Sequence, residues 1–125
     1  MSDEQDELKR EVKNFLYDFK HLMYYGSSSY YVKSHFKNIQ ALAKLEITER
    51  ERDNIIWSLE WMDYSSGPHT DEYHPDTCFW IFGKEISSIE VYIKLKIYND
   101  KNGNDKAICL SFHPSEHPLE YPFRT

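Results

Sequence analysis

Cysteine, glycine and proline are scarce in this chain of 125 residues, at two, four and five. Two cysteines exclude a disulfide-stapled secreted scaffold and fit reduced thiols in a cytosolic protein. So little glycine and proline, beside 29% charged residues, excludes collagen-like, fibrous and wholly disordered chains. No apolar run approaches the roughly eighteen residues of a membrane span. The opening Met1-Ser2-Asp3-Glu4-Gln5-Asp6-Glu7 is acidic and polar, unlike a secretory or transit peptide, and residues 1–5 are expected to be disordered. An excess of base is also lacking. Fifteen Lys and Arg face 21 Asp and Glu, a net charge of −6, which argues against a whole surface made for nucleic-acid phosphates.

Aromatic residues, by contrast, are plentiful: ten Tyr, seven Phe and three Trp. A chain of this length buries roughly two-thirds of its unfolded surface, so residues 1–125 are read as one domain with one core. Leu8, Val12, Phe15, Leu16, Phe19, Leu22 and Met23 recur at spacings of three and four and predict a helix from about Asp6 to Tyr24, stopped by Gly26. Tyr30-Tyr31-Val32 is read as an extra edge strand. A second helix is placed at Ser34–Lys44, capped by Ser34, with Phe36, Ile39, Leu42 and Ala43 as its stripe. Thr48-Glu49-Arg50-Glu51 fits a capping box for a third helix that buries Ile55, Ile56, Leu59 and Met62.

Residues 63–77 carry two prolines and no apolar period and are read as a long loop. Three strands are expected after it: Cys78–Phe82, the alternating Ile89–Tyr98, and Ala107–Phe112, the last two joined by a hairpin turn containing Asn102-Gly103-Asn104. The fold class is therefore α+β, three N-terminal helices packed on a small antiparallel sheet, a three-stranded meander with the extra edge strand. Cys78 and Cys109 fall on its first and third strands, so no bridge is expected and both read as buried thiols.

The long strand divides its residues between two faces. Ile89, Val91, Ile93, Leu95 and Ile97 point toward the helices, leaving Glu90, Tyr92, Lys94, Lys96 and Tyr98 on the open face. Interleaved cations and rings are how sequence-tolerant binders hold single-stranded nucleic acid, although lysine and tyrosine are also routine on a solvated strand. On the return strand Ile108, Leu110 and Phe112 are assigned to the helices, and Cys109, Ser111 and His113 to the open face. A histidine titrating near pKa 6.5 exchanges protons at neutral pH. RNA cleavage requires a base for the 2′-hydroxyl, a cation for the phosphorane charge and an acid for the leaving 5′-oxygen; His113, Lys94 or Lys84, and Tyr92 supply that set. The cluster His69, Asp71, Glu72, His74 and Asp76, and the pair His113 and His117, lack recognised zinc spacing and read as solvated polar groups.

The blocks Asp63-Tyr64-Ser65-Ser66-Gly67-Pro68, Trp80-Ile81-Phe82-Gly83-Lys84-Glu85-Ile86, Val91-Tyr92-Ile93-Lys94-Leu95 and Leu110-Ser111-Phe112-His113-Pro114 resemble the MqsR family of type II toxin–antitoxin toxins, over about Ile47 to Pro122. The resemblance implies a RelE-like fold, ribosome-independent cleavage of mRNA, a cognate antitoxin as partner, and an active site that includes Tyr92 and the residue at His113. The chain departs from the family pattern at Ser66 and His113, where lysine is frequent, and at Ile81, where glutamine occurs. The reading that follows is a cytoplasmic mRNA interferase with no cofactor, metal or membrane, acting on single-stranded RNA. His113, Tyr92, Lys94 and Lys84 are its catalytic candidates, and Lys96, Tyr98, Tyr64, Ser66 and Ser111 its RNA contacts. The competing reading is a non-catalytic module that binds a protein through the same sheet face.

Overall fold

A computed structural model describes residues 2–125. It is α+β. Three helices, α1 (Asp3–Tyr24), α2 (Phe36–Leu45) and α3 (Glu49–Trp57), accompany strands β1 (Tyr30–Val32), β2 (Tyr64–Asp71), β3 (His74–Ile86), β4 (Ile89–Asn99) and β5 (Asp105–Pro114). The strands form one mixed sheet in the order β1-β5-β4-β3-β2, antiparallel except for β1, which runs parallel to β5 at the edge. No helix among the described residues is long and apolar enough to cross a membrane.

The first helix starts earlier than its apolar stripe. The Ser2 hydroxyl accepts from the Gln5 amide at 3.1 Å, and Asp3, Glu4 and Asp6 meet the positive end of the helix dipole. Residues 3–5 are thus helical rather than disordered, and Met1 lies outside the described residues. Val12, Leu16 and Phe19 are buried against the sheet, and Phe15 stacks on Trp80 with ring centroids 5.2 Å apart. Inward residues of β3, β4 and β5 (Phe82, Val91, Ile93, Leu95 and Phe112) complete the core, as the alternation of β4 requires.

The second helix turns a different face inward from its apolar stripe. Asn38, Ala41 and Leu45 are buried, while Phe36 and Ile39 stand exposed, and its cap is His35, not Ser34. The third helix forms the expected capping box: the Thr48 hydroxyl accepts from the Glu51 amide, and the Glu51 carboxylate accepts from the Thr48 amide, both at 3.1 Å. It ends at Trp57, so Ile56 is buried within it, Leu59 is buried just beyond it and Met62 is exposed.

Two expectations about the sheet are corrected. Residues 64–77 are not a loop: β2 and the first part of β3 form a hairpin, with Ser66 opposite Ile81 and His69 opposite Phe79. Its polar composition reflects an edge strand with little apolar surface to bury, and three register irregularities along β2 erase the alternation that would have marked it. The meander thus becomes part of a five-stranded sheet. The second correction concerns β5. Lys94 pairs with Ser111 but Leu95 with Cys109, so Leu110 is an extra residue, a β-bulge. Beyond it the parity inverts. Ala107 and Cys109 face the helices, and Ile108 and Leu110 lie on the open face with Ser111 and His113.

The bulge is held by α2. The buried Asn38 amide donates to the Leu110 carbonyl at 3.1 Å, and its side-chain oxygen accepts from the Phe112 amide at 2.9 Å. Backbone groups displaced from the ladder recover partners this way, which is why a polar residue occupies the buried face of α2.

After β5 the chain continues as a tail along the ends of β3 and β4. The Glu90 carboxylate accepts from the Leu119 amide at 2.9 Å and from the Tyr121 hydroxyl at 2.8 Å. Phe123 enters the core beside Tyr64 and Trp61. Gly83 lies beneath the tail, and a Cβ there would collide with the Tyr121 hydroxyl and the Leu119 side chain.

Candidate functional site

Because antiparallel neighbours share a face, the open side of the sheet follows from the strand pairs. Tyr92 lies opposite His113, Lys94 opposite Ser111, and Lys96 opposite Ile108. Ile81 continues the Lys94 row toward Ser66, and Phe79 continues the Lys96 row toward His69. Seven of the nine sequence candidates (His113, Tyr92, Lys94, Ser111, Ser66, Lys96 and Tyr98) therefore occupy one surface.

Tyr92 and His113 stack, with ring centroids 5.5 Å apart and 22° between the planes. His113 Nδ1 lies 3.0 Å from the Pro114 carbonyl, an acceptor only, so Nδ1 donates there and Nε2 is left without a partner among the described residues. Burial raises the Tyr92 phenol above its usual pKa, so it is a hydrogen-bond donor at neutral pH. The pair forms one wall of a pocket of about 400 Å³ whose other wall is the tail, from Ser115 to Leu119. That tail brings in His117 and Glu116. The Glu116 carboxylate is paired with Lys37 at 2.5 Å, which holds its pKa down, and it also feels the fields of His113 and His117. In the sequence His117 stands out only as a spacing partner of His113. Its place beside His113 depends on the course of the tail, for which the sequence carries no signal.

Lys94 stands between this pocket and the rest of the face, its ammonium 4.0 Å above the Phe79 ring. Burial lowers its pKa, and the Asp71 carboxylate opposes that shift. It makes no ion pair among the described residues.

The remaining candidates are placed elsewhere or are already engaged. Lys84 lies opposite Val91 and so projects to the helix side, where its ammonium meets Asp63 at 3.2 Å. Asp63, itself buried, also binds Arg124 of the tail at 2.9 Å. Lys84 is an anchor for the tail and is not beside Tyr92. Tyr64 is a core residue, packed among Trp80, Phe82 and Phe123, with its hydroxyl donating to the Gly67 carbonyl. Lys96 is on the open face but only 6% exposed, closed over by Asp71 at 2.9 Å, and Asp71 is held below its usual carboxylate pKa chiefly by that bond. The Tyr98 hydroxyl is bonded to that of Tyr31 at 2.8 Å. Ser66 is 2.9 Å from His69 Nε2, and the His69 ring packs at a tilt against Phe79.

Of the two cysteines, Cys109 is buried and Cys78 exposed, which corrects the expectation of two buried thiols; neither is bridged. Burial pushes the Cys109 thiol up to about 12, so it has no nucleophilic character. Among the described residues no group of three or more His, Cys, Asp or Glu is arranged to hold a metal ion.

No family model, curated protein or solved structure matches the chain.

Proposed function

We propose that the protein is an endoribonuclease that cleaves single-stranded RNA at the pocket between Tyr92, His113 and the tail, as an mRNA interferase toxin of a toxin–antitoxin pair acting in the cytoplasm. The observation that carries this reading is the pairing of His113 with Tyr92 on an open sheet face, with His117 across the pocket and Lys94 one rung away. Transesterification draws on those groups alone. His113 Nε2 takes the proton of a ribose 2′-hydroxyl, the O2′ attacks the adjacent phosphorus, and the P–O5′ bond breaks. The departing O5′ takes a proton from His117 or the Tyr92 hydroxyl, leaving a 2′,3′-cyclic phosphate and a 5′-hydroxyl. The Lys94 ammonium balances the charge that builds on the phosphorane oxygens. Such a toxin requires restraint by an antitoxin. The exposed rings of Tyr17 and Tyr24 on α1 and of Tyr25 just beyond it offer an apolar surface for such a partner.

A second reading, a protein-binding module using the same sheet face, is favoured by one observation: Lys96 is spent on Asp71 and Lys84 projects to the helix side, which leaves the face with few free cations. Incubating a long RNA with the wild-type protein and with His113→Ala, chelator present throughout, separates the two. Cleavage by the wild type that falls in the variant supports the ribonuclease; intact RNA in both lanes supports the module.

A further inference from the structure

A cleft of about 600 Å³ lies on the open face at the opposite end from Tyr92 and His113, and the RNA-cleaving reading leaves it without a task. Its size falls within the roughly 300–1,000 Å³ of small-molecule sites. Its floor is apolar at Ile108 and Leu110, beside the closed Lys96–Asp71 pair. Ile108 is 7% exposed yet lies apart from the main core, and Leu110 joins it only because the bulge turns that residue outward. Tyr31 and Tyr98 form one wall, locked to each other through their hydroxyls. Lys33 is exposed at the rim and makes no ion pair among the described residues, and Tyr73, 82% exposed, stands at the hairpin tip on the other side. An apolar floor, rings on both sides and a free ammonium at the edge match a planar base with its phosphate.

The strand geometry joins this cleft to the cleavage pocket. Tyr92, Lys94, Lys96 and Tyr98 alternate along β4, and each two-residue step is about 6.8 Å. Tyr98 is therefore about 20 Å from Tyr92 along the strand, a distance that a few nucleotides of extended RNA would bridge past Lys94. We propose that the cleft is a base-binding subsite for the same RNA chain, taking one unstacked nucleobase a few nucleotides from the scissile phosphate and contributing sequence preference there. The proposal rests on the ribonuclease reading for its substrate, but its site is separate.

Two measurements distinguish the fates of the two ideas. The first titrates each of the four nucleoside 5′-monophosphates into methyl-labelled protein. At least one is expected to shift the Ile108 and Leu110 methyl resonances, and Tyr73→Ala is expected to weaken that binding by about 10–100-fold. Tyr73 is so exposed that its loss leaves the fold intact, whereas Ile108→Trp, which fills the cleft, is the stronger but riskier block. The second maps cut sites in a long RNA. The wild type should show a base preference a few nucleotides away from the cut, and Tyr73→Ala or Ile108→Trp should lose that preference while the product ends stay the same. Cutting without remote preference, together with unshifted cleft methyls, overturns the subsite and leaves the nuclease standing. Mononucleotides in the cleft of a protein that cuts no RNA uphold the base site and overturn the nuclease. Neither cutting nor binding overturns both.

Discussion

The two ends of the open face are built from the same strands and differ in what their polar groups are doing. At the tail end, His113 keeps a ring nitrogen free, Tyr92 remains a neutral donor and His117 faces them across a pocket. At the opposite end, beside the β2–β3 hairpin, Lys96 is buried under Asp71, the Tyr31 and Tyr98 hydroxyls are used on each other, and Ile108 and Leu110 lie in the floor. Groups with unspent donors and acceptors transfer protons; groups that satisfy each other around an apolar floor recognise shape. One bulge sets both, because it aligns Ser111 and His113 with Lys94 and Tyr92 and also turns Leu110 outward.

The sharpest way to break this contrast is His113→Ala. At the tail end it should lower RNA cleavage by about 10²–10⁴-fold with no change in thermal unfolding. Tyr92→Phe should cost less, since only the hydroxyl is lost. Lys94→Ala should reduce both binding and rate and make binding less salt-dependent by about 0.7 in the log–log slope, the share of one phosphate contact. If His113→Ala cleaves normally while the wild type is active, the tail end is not the proton-transfer site.

Asn38→Ala tests the element common to both ends. It leaves the buried Phe112 amide and one bond to the Leu110 carbonyl unmatched, at a cost of about 1–3 kcal/mol for each unpaired buried group. Urea unfolding should show that loss, and the Leu110 and His113 resonances should move together. Movement of one without the other would mean that the two ends are not set by one bulge. Gly83→Ala sharpens the contrast from the tail side. Its methyl group displaces Tyr121 and Leu119, so the pocket should open with about 1–3 kcal/mol of overpacking strain, while the Ile108 and Tyr98 resonances stay in place.

The smallest effect is expected from acid. Asp71 has its carboxyl pKa lowered in the folded protein, so the Asp71–Lys96 bond contributes fully above the ordinary value of 3.8 and is lost as the pH falls through the lowered one. Hydrogen exchange in the β2–β3 hairpin should quicken over that interval in the wild type. In Asp71→Asn it should be faster already at neutral pH, with no acid step left.

Helices and the central strands were legible because their signal is local. The stripe from Leu8 to Met23 and the alternation from Ile89 to Tyr98 each span many residues, and one buried face accounts for each. The rest depended on partners distant in sequence. Nothing near Leu110 announces a bulge; the residue that stabilises it is 72 positions away, on a helix whose own apolar stripe pointed to a different face. The hairpin at Tyr64–Thr77 was hidden by its polar edge, and Lys84, beyond the end of the expected strand Cys78–Phe82, was chosen for its charge with no parity to place it; its pairing with Val91 puts it on the helix side. At the candidate site, His113, Tyr92 and Lys94 were placed on one face by parity across a register that the bulge preserves for them and inverts for Ile108 and Cys109.

The chemistry of the product ends reads the proposed reaction most directly. A long single-stranded RNA is incubated with the purified protein in the presence of chelator, and the termini of the fragments are determined by mass spectrometry. A histidine base acting on the 2′-hydroxyl predicts 2′,3′-cyclic phosphate and 5′-hydroxyl ends, strongly reduced in His113→Ala. Fragments ending in 3′-hydroxyl and 5′-phosphate, or RNA left intact, would contradict it.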